Sequence, residues 1–219
     1  MSLVSRAPGL FTVDAPLSFM GLHIGTRMTV VKLPDGTVLL HSPVPISPAL
    51  CAEIAAIGPI AHIVCPNTYH HLHAGPWHQA NPEAKLYGPE GLSKKRQDLR
   101  LEVMPTIDGL ETVPIQGSML EETVLVHPAT NTLISSDLTE NFVGPVDHAF
   151  TRMYLKANGT YGKPGWPRVL RLVYRDRKAA RRSIDRLLEH DFDRVLLAHG
   201  DVLETGGKAA IRSTFEFLD

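Results

Sequence analysis

Residues 65 to 78 read CPNTYHHLHAGPWH and place His70, His71, His73 and His78 in one short stretch. The segment follows AHIVC (61 to 65), a short apolar run that predicts a buried strand ending at Pro66. The imidazoles therefore fall in the loop just beyond a strand end, where layered α/β folds concentrate their chemistry. Adjacent side chains such as His70 and His71 cannot share one helical or strand face, but from a tight loop they approach one point from different directions. A histidine-rich loop beside Trp77 also has a plainer use, with rings stacked over a core and bonded to backbone carbonyls.

Two other strand ends carry the same kind of side chain. TVLVHPATNTLISSD (123 to 137) holds two β runs around Pro-Ala-Thr-Asn, a hairpin pattern whose second strand delivers Asp137 to an edge. RVLLAHGD (194 to 201) is apolar until it breaks at His199-Gly200-Asp201. Neutral imidazole and carboxylate suit zinc or another borderline first-row ion, and three or four of them leave room for water. Taken singly, Asp137 reads equally well as a turn former or helix N-cap, and His199 as a turn marker.

The remaining sequence alternates strands and helices. MTVVKLPDGTVLLH (28 to 41) predicts a hairpin turning at 34 to 36, Ser47-Pro48 opens a helix through PALCAEIAAIG, and AKLYG (84 to 88) is a strand followed by a small helix or turn over LSKKRQDL. An amphipathic helix is expected over 145 to 156, with Phe150, Met153 and Tyr154 on one side. Helices are also expected over 176 to 190, packing Ala180, Ile184, Leu187 and Leu188 inward, and over 206 to 218. The turn-rich NGTYGKPGWP (158 to 167) and the segment around Trp77 are expected to shape a pocket. With 219 residues and no long linker, one domain over 1 to 219 is expected.

The charge balance, 22 basic against 23 acidic residues, excludes a general attraction to nucleic acid or anionic membrane. The clusters KKRQDLR and RDRKAARR suit solvated helix faces. Cys51 and Cys65 are too few for a disulfide scaffold; beside the alternative of one bridge, free buried thiols in a reducing, cytoplasmic setting fit better. Neither a signal peptide nor a membrane span is read in the chain. Oligomeric state is left open.

Taken in order, PNTYHHLHAGPW (66 to 77), PEAKLYGPEGL (82 to 92), TVLVHPATNTLISSDL (123 to 138) and LLAHGD (196 to 201) resemble the metallo-β-lactamase fold superfamily, and more closely its DUF4336 group. The resemblance implies an α/β architecture, a four-layer αββα sandwich of two mixed β-sheets with metal at one edge. The superfamily's His-x-His-x-Asp-His motif, laid with its last histidine at His71, meets Pro66, Thr68, His70 and His71. Its next histidine would fall in QGSMLEE (116 to 122), which has none. One metal position thus lacks its imidazoles, while the other keeps His71, Asp137 and His199, with His70 where the aspartate stands.

The resemblance therefore implies a mononuclear centre of His70, His71, Asp137 and His199 holding one ion, zinc foremost, with iron or manganese as alternatives. Asp137 and Glu122 are the expected catalytic groups, with Glu121 sharing Glu122's place near the metal edge as a proton acceptor or water holder. Tyr69, Asn141 and Asp201 are expected neighbours, Asp201 orienting an imidazole. His73 would lie behind the ligands or face substrate, and His78 would belong to surface or core. The function expected is a metal-dependent hydrolase cleaving an ester, lactone, amide or phosphoester of a small molecule. The alternatives are a non-catalytic binding or structural protein that keeps the sandwich, and a mononuclear iron redox protein.

Overall fold

Strand alternation sorts the apolar side chains of this chain onto two faces. In a computed structural model describing residues 2–219, the first half runs β1 (Val4–Ala7), β2 (Leu10–Ala15), the short hairpin β3 (Ser18–Phe19) and β4 (Leu22–His23), β5 (Thr26–Lys32), β6 (Val38–His41), α1 (Pro48–Ala55), β7 (Ile60–Val64), α2 (Ala74–Ala80), β8 (Lys85–Tyr87) and α3 (Glu90–Lys95). The second half runs β9 (Glu111–Pro114), β10 (Thr123–His127), β11 (Thr132–Ile134), β12 (Glu140–Asn141), α4 (Ala149–Asn158), β13 (Pro164–Gly165), α5 (Arg177–Glu189), β14 (Arg194–Leu196) and α6 (Gly207–Thr214). One mixed sheet has the order β1-β2-β5-β6-β7-β8, and the other the order β14-β11-β10-β9.

Along β5 and β6, Val30, Val38 and Leu40 face α1 and α2, whereas Val31 and Leu39 face the second sheet. The same period of two recurs in β10: Val124 and Val126 pack toward α5 and α6, and Leu125 meets the first sheet. Three apolar interfaces result, one between the sheets and one under each helical layer, which is the αββα sandwich. Each large aliphatic side chain withdrawn from water this way contributes roughly 1.5–3 kcal/mol.

Local signals set the element ends. Ser47 accepts a hydrogen bond from Leu50 N and Pro48 occupies the first turn of α1. Asp176 caps α5 through Ala179 N, and Ala180, Ile184 and Leu187 are buried as their spacing requires, with Leu188 packing at the margin of that core. The β10–β11 hairpin turns through Asn131 in the left-handed region.

Two expectations change. Helix α4 begins after His148, not at 145, and buries Thr151 and Leu155, while Phe150 and Met153 are exposed. Trp77 is fully buried and donates to the Val44 carbonyl at 2.8 Å, so it belongs to the core beneath the first sheet rather than to a pocket wall. The 158 to 167 segment carries β13, which pairs with β12, and its Trp166 lines a cavity as expected of a pocket-shaping segment. Among the described residues, no helix is long and apolar enough to cross a membrane.

Candidate metal centre

Three loops leave the same edge of the sandwich, at the C-terminal ends of β7, β11 and β14. Strands β11 and β14 are parallel neighbours with Ile134 opposite Leu196, so their loops emerge side by side. His70 from the first loop, Asp137 from the second and His199 from the third converge, with one ligand atom of each within 4.8 Å of the others. Asp137 Oδ1 lies 3.2 Å from His70 Nε2 and 3.3 Å from His199 Nε2. These side chains are 8%, 14% and 5% exposed, so the group is screened from solvent yet reachable.

The outer nitrogens of both rings are held. His199 Nδ1 is 2.7 Å from the Gly25 carbonyl, which only accepts, so this nitrogen carries the proton and the neutral ring keeps its lone pair on Nε2. His70 Nδ1 is 2.7 Å from Ser42 Oγ. Burial pushes the Asp137 carboxyl up, but the opposing effects of His70 and His199 outweigh it and hold Asp137 well below the usual carboxylate range. Burial pushes His199 down, and the hydrogen bond and charge of Asp137 reverse this to a net rise.

Asn67 ties two of the loops together. Its Oδ1 accepts from Tyr69 N at 2.8 Å and His70 N at 2.9 Å, while its Nδ2 donates to Asp137 Oδ2 at 2.7 Å and Ser136 Oγ at 2.9 Å. Glu122 supports the Asp137 loop from behind: it accepts from Ser136 N at 2.8 Å, Ser136 Oγ at 3.1 Å and Asp137 N at 3.0 Å. Burial and the Asp137 charge push Glu122 up to about 7 against these three donors.

Several expected roles fall elsewhere. His71 is not among the converging atoms: Arg96 Nη1 donates to its Nδ1 at 2.9 Å. Arginine has no lone pair to offer, so the neutral His71 ring carries its proton on Nε2 and has no lone pair left for an ion. Burial, with Lys95 and Arg96, lowers His71 to about 4, which keeps it neutral. Glu122 is buried behind the loop and outside the cavity described below, a place for positioning rather than contact with substrate. Glu121 accepts from Gly91 N at 2.8 Å and so serves α3. Asp201 takes Val143 N and Gly144 N, leaving the orientation of the His199 imidazole to Gly25. Asn141 is buried and donates to Asp201 O, while His78 is half-buried on α2.

The three converging residues open onto a cavity of about 600 Å³ with largely apolar walls, including Leu17, Phe19, Leu72, Leu170 and Val173. Tyr69 and His73 line it, and Lys95 stands at the wall with its ammonium 5.1 Å from the Tyr69 ring centre. Burial lowers His73, favouring its neutral ring. Two further liners are buried: Trp166, from the 158 to 167 segment expected to shape a pocket, and Glu140, a polar residue that sequence reasoning passed over. Asn67 and Ser42 were also passed over. Asn67 was legible as an Asx-type turn former after Pro66, whereas nothing local marks Ser42 or the Gly25 carbonyl as partners of distant imidazoles.

At the positions of the absent imidazoles, the Pro66 carbonyl accepts from Thr123 N and Thr68 N donates to the Leu120 carbonyl. The donor set that remains, two imidazoles and one carboxylate with oriented outer atoms, fits a single ion.

A family model described as a domain of unknown function, DUF4336, matches residues 9–93. No curated protein is similar enough in sequence to match. Among solved structures, a metallo-beta-lactamase from Pontibacter korlensis superposes with a TM-score of 0.66 at 12% identity, covering 99% of this chain and 98% of that one. The metallo-beta-lactamase FIM-1 from Pseudomonas aeruginosa, in its mono-zinc form, gives a TM-score of 0.64 at 10% identity over 99% and 94%. The flavodiiron protein from Giardia intestinalis gives 0.69 at 14% identity, covering 100% of this chain and 59% of that one. The fold is that of the metallo-β-lactamases, in a divergent, DUF4336-like form.

Proposed function

We propose that this divergent metallo-β-lactamase-fold chain is a metal-dependent hydrolase of a small, largely apolar molecule, with His70, Asp137 and His199 holding one ion. The observation that carries the reading is the convergence of both Nε2 atoms on Asp137 Oδ1, with His199 Nδ1 committed to the Gly25 carbonyl. Zinc is the first expectation for this donor set, and the similar fold solved in a mono-zinc form supports a one-ion reading. When bound, such an ion supplies Lewis acidity that activates water and polarises the bond attacked, an ester, lactone, amide or phosphoester.

The chain's own residues do the rest. Asn67 engages Asp137 Oδ2 and leaves Oδ1 toward the rings, and Glu122 fixes the backbone that carries Asp137. The apolar walls exclude bulk water around a bound substrate, which strengthens every polar interaction made there. Cys51 and Cys65 are free thiols, which suits a reducing, cytoplasmic setting.

Elemental analysis of protein purified without added metal tests the site, alongside a His70→Ala/Asp137→Ala variant. About one equivalent of metal, lost in the variant, is expected, together with variant-sensitive turnover on a panel of ester, lactone, amide and phosphoester substrates. No uptake of zinc, manganese or iron by the native protein overturns the reading. The two-histidine, one-carboxylate set is also that of non-haem iron proteins, so recovery of iron with no hydrolysis on the panel selects the redox reading instead.

A further inference from the structure

The cavity that holds His70, Asp137 and His199 has an apolar rim as well as apolar walls. Phe19 and Met20 stand at the tip of the β3–β4 hairpin, and Tyr69 and Leu72 on the loop after β7; all four line the cavity and are exposed, Met20 at 84%. The segment RVLRLV (168 to 173) forms a 3-10 helix along another side. Three residues per turn sort it into three stripes: Leu170 and Val173 make cavity wall, Val169 and Leu172 are exposed, and Arg168 and Arg171 form a basic edge. Leu172 is 70% exposed although the wall residues on either side of it are half-buried or paired. Large exposed hydrophobic side chains gathered at one opening mark a surface that meets an apolar partner.

The charges on this rim are of one sign. Lys94 pairs with Glu90 and Arg96 with Asp98, but among the described residues Lys95, Arg168 and Arg175 pair with no carboxylate. Lys95 donates instead to the Thr68 carbonyl at 3.2 Å, and Arg175 Nε reaches Met119 Sδ at 3.3 Å. Residues 168 to 178 hold five basic residues against one acidic, Asp176, which caps α5. In a chain of near-neutral balance this is a local excess, so electrostatic attraction acts through this face alone.

We propose that the rim is a docking surface for an anionic lipid bilayer, with Met20, Leu72 and Leu172 entering the acyl boundary and Lys95, Arg168 and Arg175 meeting headgroup phosphates. Apolar tips interleaved with basic side chains are the composition that holds a protein in the interface plane. The shape selects lipid over a folded partner. The rim borders a cavity of about 600 Å³, which a rigid surface covers only by inserting a segment of matching form, whereas acyl chains are fluid and conform to it. Docked this way, the cavity opens onto lipid rather than onto water. The proposal goes beyond the hydrolase reading and does not depend on it.

Co-sedimentation with sucrose-loaded vesicles tests it, comparing phosphatidylcholine alone with a mixture of phosphatidylcholine and phosphatidylglycerol at low salt. We expect binding to the mixed vesicles and about hundredfold weaker binding to the neutral ones, as for three cations close to a charged surface. Arg168→Gln/Arg175→Gln and Met20→Ser/Leu172→Ser should each weaken binding to mixed vesicles by about tenfold or more. Lys32→Gln, at the opposite end of β5 from the cavity-lining Thr26, should bind as native. All five side chains are exposed, so urea midpoints close to native are expected and separate docking from folding.

No binding to mixed vesicles, equal binding to both kinds, or binding that neither pair of substitutions weakens overturns the proposal. Binding abolished by EDTA is bridged by an ion and overturns it too. A concentration-dependent dimer in sedimentation velocity, lost in Met20→Ser/Leu172→Ser and accompanied by no vesicle binding, assigns the rim to a second copy of the chain instead. Vesicle binding is read without turnover or metal content, so this proposal and the hydrolase reading fail separately.

Discussion

Replacing Glu122 by alanine tests whether the carboxylate behind Asp137 positions the ligand or takes part in chemistry. In the native fold it accepts from two buried backbone N–H groups, Ser136 and Asp137, and from Ser136 Oγ. Losing the acceptor leaves both N–H groups unpaired at a cost of about 1–3 kcal/mol each. Two effects offset part of this: water can enter the vacated space, and the like charge facing Asp137 disappears. A net destabilisation of about 3 kcal/mol follows, which for an m-value of about 2 kcal/mol/M in urea lowers the unfolding midpoint by about 1.5 M. Zinc affinity, read by competition with a chromophoric chelator, should fall about 10- to 100-fold, as for loss of a group that orients a ligand. Glu122→Gln should show milder losses in both measurements. A Glu122→Ala midpoint within about 0.3 M of native refutes the positioning argument, as does a Glu122→Gln protein of native stability and metal affinity that has lost turnover.

Three other outcomes follow from the same geometry. Ser42→Ala removes the hydroxyl beside His70 Nδ1 and should weaken zinc binding about tenfold in the same competition assay with little change in the urea midpoint. Burial, with a smaller effect from Asp137, pushes Glu140 up to about 7 from 4.5; the native state then keeps a proton that the unfolded chain releases, so stability falls as pH rises from about 4.5 through about 7, by roughly 3 kcal/mol. Metal-free Glu140→Gln should lose that part of the decline, and melting curves that run parallel to native between pH 5 and pH 8 would contradict the shift. Gly200, at φ +89°, packs against the Asn141 carbonyl where a Cβ would stand, so Gly200→Ala should cost about 3 kcal/mol or more in urea unfolding and displace His199 enough to abolish stoichiometric zinc uptake.

The layers were readable from the sequence wherever a local signal coincided with tertiary packing. The Ser47-Pro48 start of α1, the turn through Asp35-Gly36 and the hairpin around Asn131 each combine a turn or cap residue with an apolar run that has a core to meet. Strands β1, β2 and β9 escaped notice because their pairing is set by neighbours in the sheet rather than by a distinctive run. Phe150 and Met153 look like a core stripe, but α4 turns Thr151 and Leu155 inward instead, a choice made by packing that helical spacing alone does not encode.

At the candidate site, the legible part was the residue type at each strand end. His70, Asp137 and His199 follow from a strand stop and a ligand-capable side chain. His71 carries the same signal and differs only through Arg96, a partner 25 positions away that takes up its Nδ1. Hydrogen bonding across loops, from Asn67, Ser42 and Gly25, decides which imidazoles turn toward Asp137. That information lies in pairs of distant residues rather than in any one stretch.

The Gly25 carbonyl that holds His199 has a consequence for the order in which this protein is assembled. The segment matching DUF4336 contains His70, but Asp137 and His199 are synthesised later, and His199 is oriented only once it reaches a loop laid down near the start of the chain. As the polypeptide emerges, the early sheet therefore has to stand on its own apolar contacts before an ion can contribute anything. An ion bound by the three residues would be the last stitch between the two halves. Its free energy, gained after the sheets have docked, would accrue to the lifetime of the finished fold rather than to the speed of reaching it.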